Sequence, residues 1–298
     1  MNFLYSIILS IQDLSKNEIQ KKSIINGSIW LILWLVIIFF SWSHMTSLTQ
    51  KLLSWIPFTF IRYSGSYFIF TLLWIQAILI TLGIIFYIFN RFIERYLEKT
   101  HSHYFILVIG SIIVLFYTFL FFYYKDSFLL YIAHFIKILP FQSIEELISI
   151  FLAILFYYML FSVSISLTLP LIINNSLKNI AYEEYPEIKI QKIKKTKILY
   201  FSLRNLAFFI ILSFICYPFL LIPVINIATM LFLWTYAIKD TYYHTVKDLF
   251  NLDDLNKKEK YLLALFSAIL NFIPLINIYT PAFGLLLFYH YMIEKKEI

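Results

Sequence analysis

The chain is poor in cysteine, in charge and in catalytic signature motifs, and each shortage excludes a class of protein. It holds one cysteine, Cys216, in 298 residues, so an intrachain disulfide is excluded. Charged residues make up only 14% of the sequence, which leaves no segment polar enough for a separate soluble domain. The P-loop, HExxH and GxSxG patterns do not occur, which removes the usual signatures of ATP hydrolysis, zinc proteolysis and serine chemistry. We therefore expect neither an enzyme nor a bound cofactor.

The chain is instead strongly apolar, with 61% hydrophobic residues and a mean hydropathy of +0.80. This composition predicts an all-α, multi-pass membrane protein with one membrane domain over residues 1–298, whose first partner is the lipid bilayer. The formal net charge of +7 is concentrated between the apolar runs. Basic residues in that position indicate membrane topology rather than nucleic-acid binding.

An eight-residue segment occurs twice in the C-terminal half, as Ile222–Thr229 and Ile273–Thr280, with six of the eight positions identical. Each copy lies in an uncharged run, over residues 205–238 and 261–293. Such runs are too long for one spanning helix of about 20 residues and too short for two helices with a turn between them. They therefore predict two helical hairpins that enter the bilayer and leave by the same side.

Prolines are expected to break these hairpins, because proline lacks a backbone donor and clashes with the preceding helical turn. Pro218 and Pro223 would divide the first run, and Pro274 and Pro281 the second. Each half would then hold about 14 residues and reach about 21 Å, against about 30 Å of hydrocarbon. The length predicts that neither tip reaches the far surface.

The remaining apolar runs predict a surface helix over residues 1–22 and four spanning helices, over residues 24–42, 65–90, 104–124 and 147–174. Lys21 and Lys22 precede the first span, and five lysines fall within residues 189–197. By the positive-inside rule these lysines place both chain termini in the cytoplasm. The lysines of residues 189–197 would serve as a topology signal or as a contact for anionic lipid.

Polar residues at the matched hairpin tips are the first candidates for a functional site: Asn226, Thr229, Asn277 and Thr280. An unpaired polar group is costly inside a bilayer, so these residues have a definite role. They would line a substrate path, as broken helices do in transporters, or they would cap the broken helices themselves.

Basic and small residues near the membrane boundaries are weaker candidates. Lys239 and His290 occupy equivalent positions in the two runs, where they would attract an anion or extend towards the lipid headgroups. His101 and His103 form an isolated pair, from which no metal site is expected. A further group lies at the start of the first span: Lys21, Lys22, Asn26, Gly27 and Ser28. These residues would form a reduced anion site, or they would anchor the helix at the membrane surface and cap its N-terminus.

The tips of the form Ile-Pro-x-Ile-Asn, Ile222–Asn226 and Ile273–Asn277, resemble the CysZ sulfate-permease family and its eukaryotic relatives, the etoposide-induced membrane proteins. Pro281–Gly284, before the last helix, adds to the resemblance. The resemblance implies a bacterial inner-membrane protein with partially inserted helix pairs, assembled as a homo-oligomer, that takes up sulfate. Bacterial members carry a Gly-Leu/Ile-Arg motif at the first span, whereas Ser23–Ile29 contains no arginine.

Two functions therefore stay open. The first is a permease-like protein that moves a small anion such as sulfate, passively or coupled to an ion. The second is a membrane scaffold that retains the fold without transport.

Overall fold

The computed structural model describes residues 3–55, 144–188, 190–191, 195–222, 225–274 and 276–297, with scattered positions between 74 and 130 that include 111–120. Every regular element within these ranges is helical. The chain divides into two compact units. The larger comprises residues 1–46, 152–217 and 228–298, and the smaller comprises residues 47–151 and 218–227.

Among the described residues, the helices with defined ends are, in order, α1 (Phe3–Leu14), α2 (Asn17–Ser54), α3 (Ile144–Ile172), α4 (Asn174–Glu184), α5 (Lys195–Leu220), α6 (Ile225–Phe250), α7 (Lys257–Ile269) and α8 (Thr280–Glu297). Two short 3-10 segments, Leu270–Phe272 and Ile276–Tyr279, lie between α7 and α8. Residues 111–120 are also helical. Within the smaller unit, the buried Thr49 and Ser149 hydroxyls are hydrogen-bonded at 2.7 Å.

Three of the described helices are long and apolar enough to cross a membrane: α2, residues 148–172 of α3, and α5. At a rise of about 1.5 Å per residue, the 26-residue α5 reaches about 39 Å, more than the hydrocarbon thickness. The prediction of an all-helical chain is confirmed for the described residues, and the length and composition of these three helices support a membrane protein. Predicted spans 24–42 and 147–174 fall largely within α2 and α3, whereas predicted spans 65–90 and 104–124 lie mostly outside the described residues.

The N-terminal segment differs from the single surface helix predicted over residues 1–22. α1 ends at Leu14, and α2 begins at Asn17. The Ser15 hydroxyl bonds back to the Gln12 carbonyl, and the Lys16 backbone N–H donates to the Asp13 carbonyl, so the chain turns here. Local hydrogen bonds of this kind compete with helix continuation.

α5 and α6 form a helix–break–helix pair whose charged ends are joined. Lys197 pairs with Asp248 at 2.6 Å, and Arg204 pairs with Asp240 at 2.9 Å. Both helices continue beyond Arg204 and Lys239, the charged residues that bound the apolar run. α5 and α6 are therefore each longer than the expected arm of about 14 residues. Pro218 lies inside α5 instead of breaking it.

α7 and α8 form the second, shorter pair, of 13 and 18 residues. Asn256 and Glu259 form a capping box at the start of α7, and Glu259 also accepts from Lys295 of α8 at 2.8 Å. Pro281 lies in the first turn of α8, where no helix partner is needed for its missing N–H. The break therefore comes before Pro281, around Pro274.

α3 is the most enclosed of the three long helices. In its apolar stretch of 18 residues, 67% of the residues are buried, against 17% for α2 and 28% for α5. It therefore supplies the central face of the larger unit, and its polar residues have to be satisfied by protein groups or by bound solute.

Candidate functional site

Polar side chains on one face of α3 form the centre of a candidate site within the larger unit. Tyr158, Ser162 and Ser166 are spaced four residues apart, which places them on one face of the helix. Ser162 and Ser166 are fully buried, in a helix otherwise rich in apolar residues. A buried polar row in an apolar helix is expensive unless its neighbours are polar too.

The second tip supplies those polar neighbours. The Asn277 amide Nδ2 donates to the Ser162 hydroxyl at 3.1 Å, and the Tyr158 hydroxyl donates to the Asn271 backbone carbonyl. The Trp234 ring of α6 packs edge-on against Tyr158, with 6.3 Å between ring centroids. α3, α6 and the α7–α8 break thus enclose one polar core.

Several buried polar atoms of this core have no hydrogen-bond partner among the described residues. They are the Trp234 Nε1, both side-chain polar atoms of Asn271, the Asn277 Oδ1 and the Thr280 Oγ1. Each such atom costs about 1–3 kcal/mol if it stays unsatisfied. The core therefore offers hydrogen bonds to water or to a small polar solute.

The start of α8 adds a favourable field for negative charge. α8 begins at Thr280, directly after the broken segment. The first backbone N–H groups of a helix lack partners within the helix, and its N-terminus carries partial positive charge. A helix that begins inside a polar core is a place where an anion is stabilised without a charged side chain.

The first tip repeats the local backbone geometry of the second. The Asn226 N–H donates to the Ile222 carbonyl at 2.9 Å, and the Asn277 N–H donates to the Ile273 carbonyl at 3.0 Å. The side chains differ, because the Asn226 Oδ1 accepts from the neighbouring Ile227 N–H at 2.8 Å. Asn226 thus binds its own turn, as in the capping alternative, whereas Asn277 reaches α3. Thr229 is buried, like Thr280.

The residues predicted at the start of the first span are not gathered into one pocket. Lys22 donates to Glu18 at 2.9 Å and to Ser176 at 2.6 Å, while Lys21 and Ser28 are exposed. Asn26 is buried. Its amide donates to the Ile165 carbonyl at 3.1 Å, and its Oδ1 accepts from Thr168 at 3.0 Å.

Gly27 permits a close approach between α2 and the second tip. A Cβ atom at Gly27 would lie 2.6 Å from the Ile278 Cγ2 atom, closer than packed carbons allow. Among these five residues, Asn26 and Gly27 therefore hold α2 against the rest of the larger unit.

Lys239 and His290 do not behave alike. Lys239 pairs with Asp240 at 3.0 Å and lies over the Tyr236 ring. His290 is fully buried, and its Nε2 lies 2.9 Å from the Asp13 Oδ2 of α1. The expectation that His290 extends to the headgroups is wrong, because α1 covers it with a carboxylate partner.

A charged cluster surrounds that pair. The Lys16 ammonium lies 2.9 Å from Asp13, 3.1 Å from Glu184 and 3.4 Å from Glu183. Burial would raise the pKa of Asp13, but hydrogen bonds with His290 and Lys16 outweigh it and hold the pKa below its usual value. Burial and the Asp13 charge raise the pKa of Glu184. Asp13, whose pKa is lowered, and Glu184, whose pKa is raised, thus both pair with the Lys16 ammonium.

No protein-family model, curated protein or solved structure shows a significant match to this chain. The CysZ resemblance therefore stays a prediction.

Sequence reasoning missed Tyr158, Ser162, Asn271 and Trp234 as site residues. The spacing of Tyr158, Ser162 and Ser166 in an apolar run was the available signal for α3. No pattern in the sequence pointed to Asp13 as the partner of His290.

Proposed function

We propose that the protein is a permease-like membrane protein of the CysZ type that moves a small anion, such as sulfate, passively or coupled to an ion. The observation that carries the proposal is the polar core at the second tip, where Asn271, Asn277, Thr280 and Trp234 keep unused hydrogen-bonding capacity in a buried position. Transporters place substrate sites at broken helices of this kind.

Neutral donors suit the proposed cargo. The Trp234 Nε1–H, the Asn271 Nδ2 and the Thr280 hydroxyl are donors without a described partner. Hydrogen bonds to an ionised acceptor are about twice as strong as neutral ones. An anion would therefore gain more from this core than an uncharged solute of similar shape.

The proposed membrane arrangement has four spanning helices, two partially inserted hairpins, and both termini in the cytoplasm of a bacterial inner membrane, as a homo-oligomer. The lysines of residues 189–197 support a cytoplasmic position for that segment. The breaks between α5 and α6 and between α7 and α8 support the hairpins.

The competing function is a scaffold that does not transport. The observation that favours it is the engagement of basic residues by carboxylates, since Lys22 pairs with Glu18 and Arg204 with Asp240. Gly27 and Asn26 likewise serve packing. A scaffold would keep the polar core filled with water.

The test is uptake of radiolabelled sulfate into proteoliposomes containing purified protein. Under the permease proposal, Thr280→Val should lower the rate about tenfold, the effect of roughly one lost hydrogen bond of 1.4 kcal/mol. Asn277→Leu should also lower the rate, because it removes the hydrogen bond that joins the second tip to Ser162. Thr245→Val is the matched control, because Thr245 is buried but bonds within α6, to the Thr241 carbonyl at 2.7 Å. It should leave uptake unchanged.

Oligomeric state is measured on the same preparations by size-exclusion chromatography. The permease proposal is refuted if vesicles with the wild-type protein take up neither sulfate nor a related oxyanion. Loss of assembly in Asn277→Leu, with no wild-type flux, supports the scaffold.

A further inference from the structure

α1 packs against the larger unit with its polar side. Ser6, Ser10 and Asp13 recur at helical spacing, and all three are buried. The Ser6 hydroxyl donates to the Glu294 carboxylate of α8 at 3.3 Å. The apolar residues of α1 are left partly exposed, as suits a helix at the lipid boundary.

At the end of this polar row, three metal-ligating side chains converge from three elements. Asp13 comes from α1, Glu184 from α4 and His290 from α8, and one ligand atom of each lies within 4.8 Å of the other two. The closest two, the Asp13 Oδ2 and the His290 Nε2, are 2.9 Å apart. Two carboxylate oxygens and an imidazole nitrogen are a common donor set for first-row divalent cations.

The charge around this point is unbalanced. Asp13, Glu183 and Glu184 are three carboxylates within reach of one ammonium, that of Lys16. The Asp13 side chain is only 5% exposed, so solvent screens its charge weakly. The excess of carboxylates around the buried Asp13 favours a further positive charge at the cluster.

A second, independent feature lies beside the carboxylates. The Tyr289 hydroxyl is fully buried without a hydrogen-bond partner among the described residues, and so is the His290 Nδ1. The Tyr289 ring lies against the ring of His290, with 4.8 Å between the ring centroids. The Tyr289 hydroxyl is therefore a buried polar group beside the cluster that remains for a ligand or its bound water. The His290 Nδ1 points away from Nε2 and remains for an outer hydrogen bond.

We propose that Asp13, Glu184 and His290 form a binding site for a divalent cation of the zinc type. Zinc takes oxygen and nitrogen ligands at about 2.0–2.2 Å, and three protein ligands leave a fourth position for water. The Glu184 side chain is 30% exposed and can move the short distance that closes the site. The Lys16 ammonium, which holds the carboxylates together in the metal-free chain, moves out as the cation enters.

The site would fasten α1 to α4 and α8. It is independent of the proposed transport activity, since its residues lie outside the polar core of α3 and the second tip. Glu183, with a side chain that is 69% exposed, marks the route by which a cation from water reaches the cluster.

The test is isothermal titration of the chelator-treated protein in detergent with Zn²⁺ alone. All variants carry Cys216→Ser, His101→Gln and His103→Gln, which removes the thiol and the other histidine pair as competing ligands. About one Zn²⁺ should bind per chain. His290→Gln and Glu184→Gln should each weaken binding by more than the roughly 10–100-fold that loss of an outer-shell partner costs.

Two further variants make the result specific. His244→Gln is the matched control, since His244 stacks on Phe201 with 4.2 Å between ring centroids and is not part of the cluster. It should bind Zn²⁺ like the background. Lys16→Gln removes the competing ammonium and should tighten binding. The site is refuted if the background binds no Zn²⁺, if His244→Gln loses as much affinity as His290→Gln, or if Lys16→Gln does not bind more tightly.

Discussion

The contact between Gly27 of α2 and Ile278 of the second tip can be tested by adding one methyl group. In Gly27→Ala, the new Cβ would lie 2.6 Å from Cγ2 and 2.9 Å from Cγ1 of Ile278. Ile278 is only partly buried, so the side chain can yield to some extent. Overpacking of this kind costs about 1–3 kcal/mol, and we take about 2 kcal/mol here.

The substitution also has a favourable component. Alanine is a better helix former than glycine by about 1 kcal/mol, and Gly27 lies inside α2. The net expectation is a loss of about 1 kcal/mol in the free energy of unfolding. In an Ile278→Ala background the clash disappears, because Cγ1 and Cγ2 are removed. Gly27→Ala should then stabilise the protein by about 1 kcal/mol.

The assay is a double-mutant cycle from equilibrium unfolding in mild detergent with SDS as denaturant. Ser28→Ala, at the exposed neighbouring position, is the control and should change stability by less than about 0.5 kcal/mol. The coupling between Gly27 and Ile278 should be about 2 kcal/mol. Equal effects of Gly27→Ala in the two backgrounds would refute the close approach. They would also return Gly27 to the group of candidate anion contacts.

Two further predictions concern the helix pairs. Asn205→Leu should lower the free energy of unfolding by about 1–3 kcal/mol, because the Asn205 amide bonds an α6 carbonyl at 2.9 Å and Thr241 at 3.1 Å; unchanged detergent unfolding would contradict this. For Glu259, burial would raise the pKa, but hydrogen bonds from Lys295 and from the N-cap backbone hold it below the ordinary value of 4.5. The ionised Glu259 carboxylate therefore stabilises the folded protein above its ordinary pKa, and this stabilisation is lost as the pH falls through its pKa in the folded state. The thermal unfolding temperature of Glu259→Gln should accordingly depend less on acid pH than that of wild type. Glu187→Gln, at an exposed carboxylate, should keep the wild-type pH profile, and a Glu259→Gln profile that coincides with it would overturn the assignment.

The sequence by itself determined the class of structure and the places where helices break. Apolar composition predicts membrane-scale helices, and α2, α3 and α5 have the required length and composition. The repeated Ile-Pro-x-Ile-Asn segment predicts a broken helix at each copy, and both copies fold the same turn, in which the asparagine N–H bonds the isoleucine four residues earlier. These features depend on residues close together in the chain, so they can be read from a short stretch.

The lengths of α5 and α6 could not be predicted from the local sequence alone. The charged residues that bound the apolar runs indicated arms of about 14 residues, yet α5 and α6 each extend to 26. Lys197 and Asp248, beyond the residues that bound the run, pair with each other across the two helices. A charged residue next to an apolar run therefore does not by itself mark the end of a helix.

Only the tertiary structure decided which polar residues share a site. Asn226 and Asn277 occupy identical positions in the repeat, but Asn277 bonds Ser162, 115 residues away, whereas Asn226 caps its own turn. His290 meets Asp13 across 277 residues of sequence. The local pattern sets the direction of the backbone at each tip, but the partner of a buried side chain depends on which helix packs opposite. That packing is settled by the shape and burial of whole helices, for which a single residue pattern carries no signal.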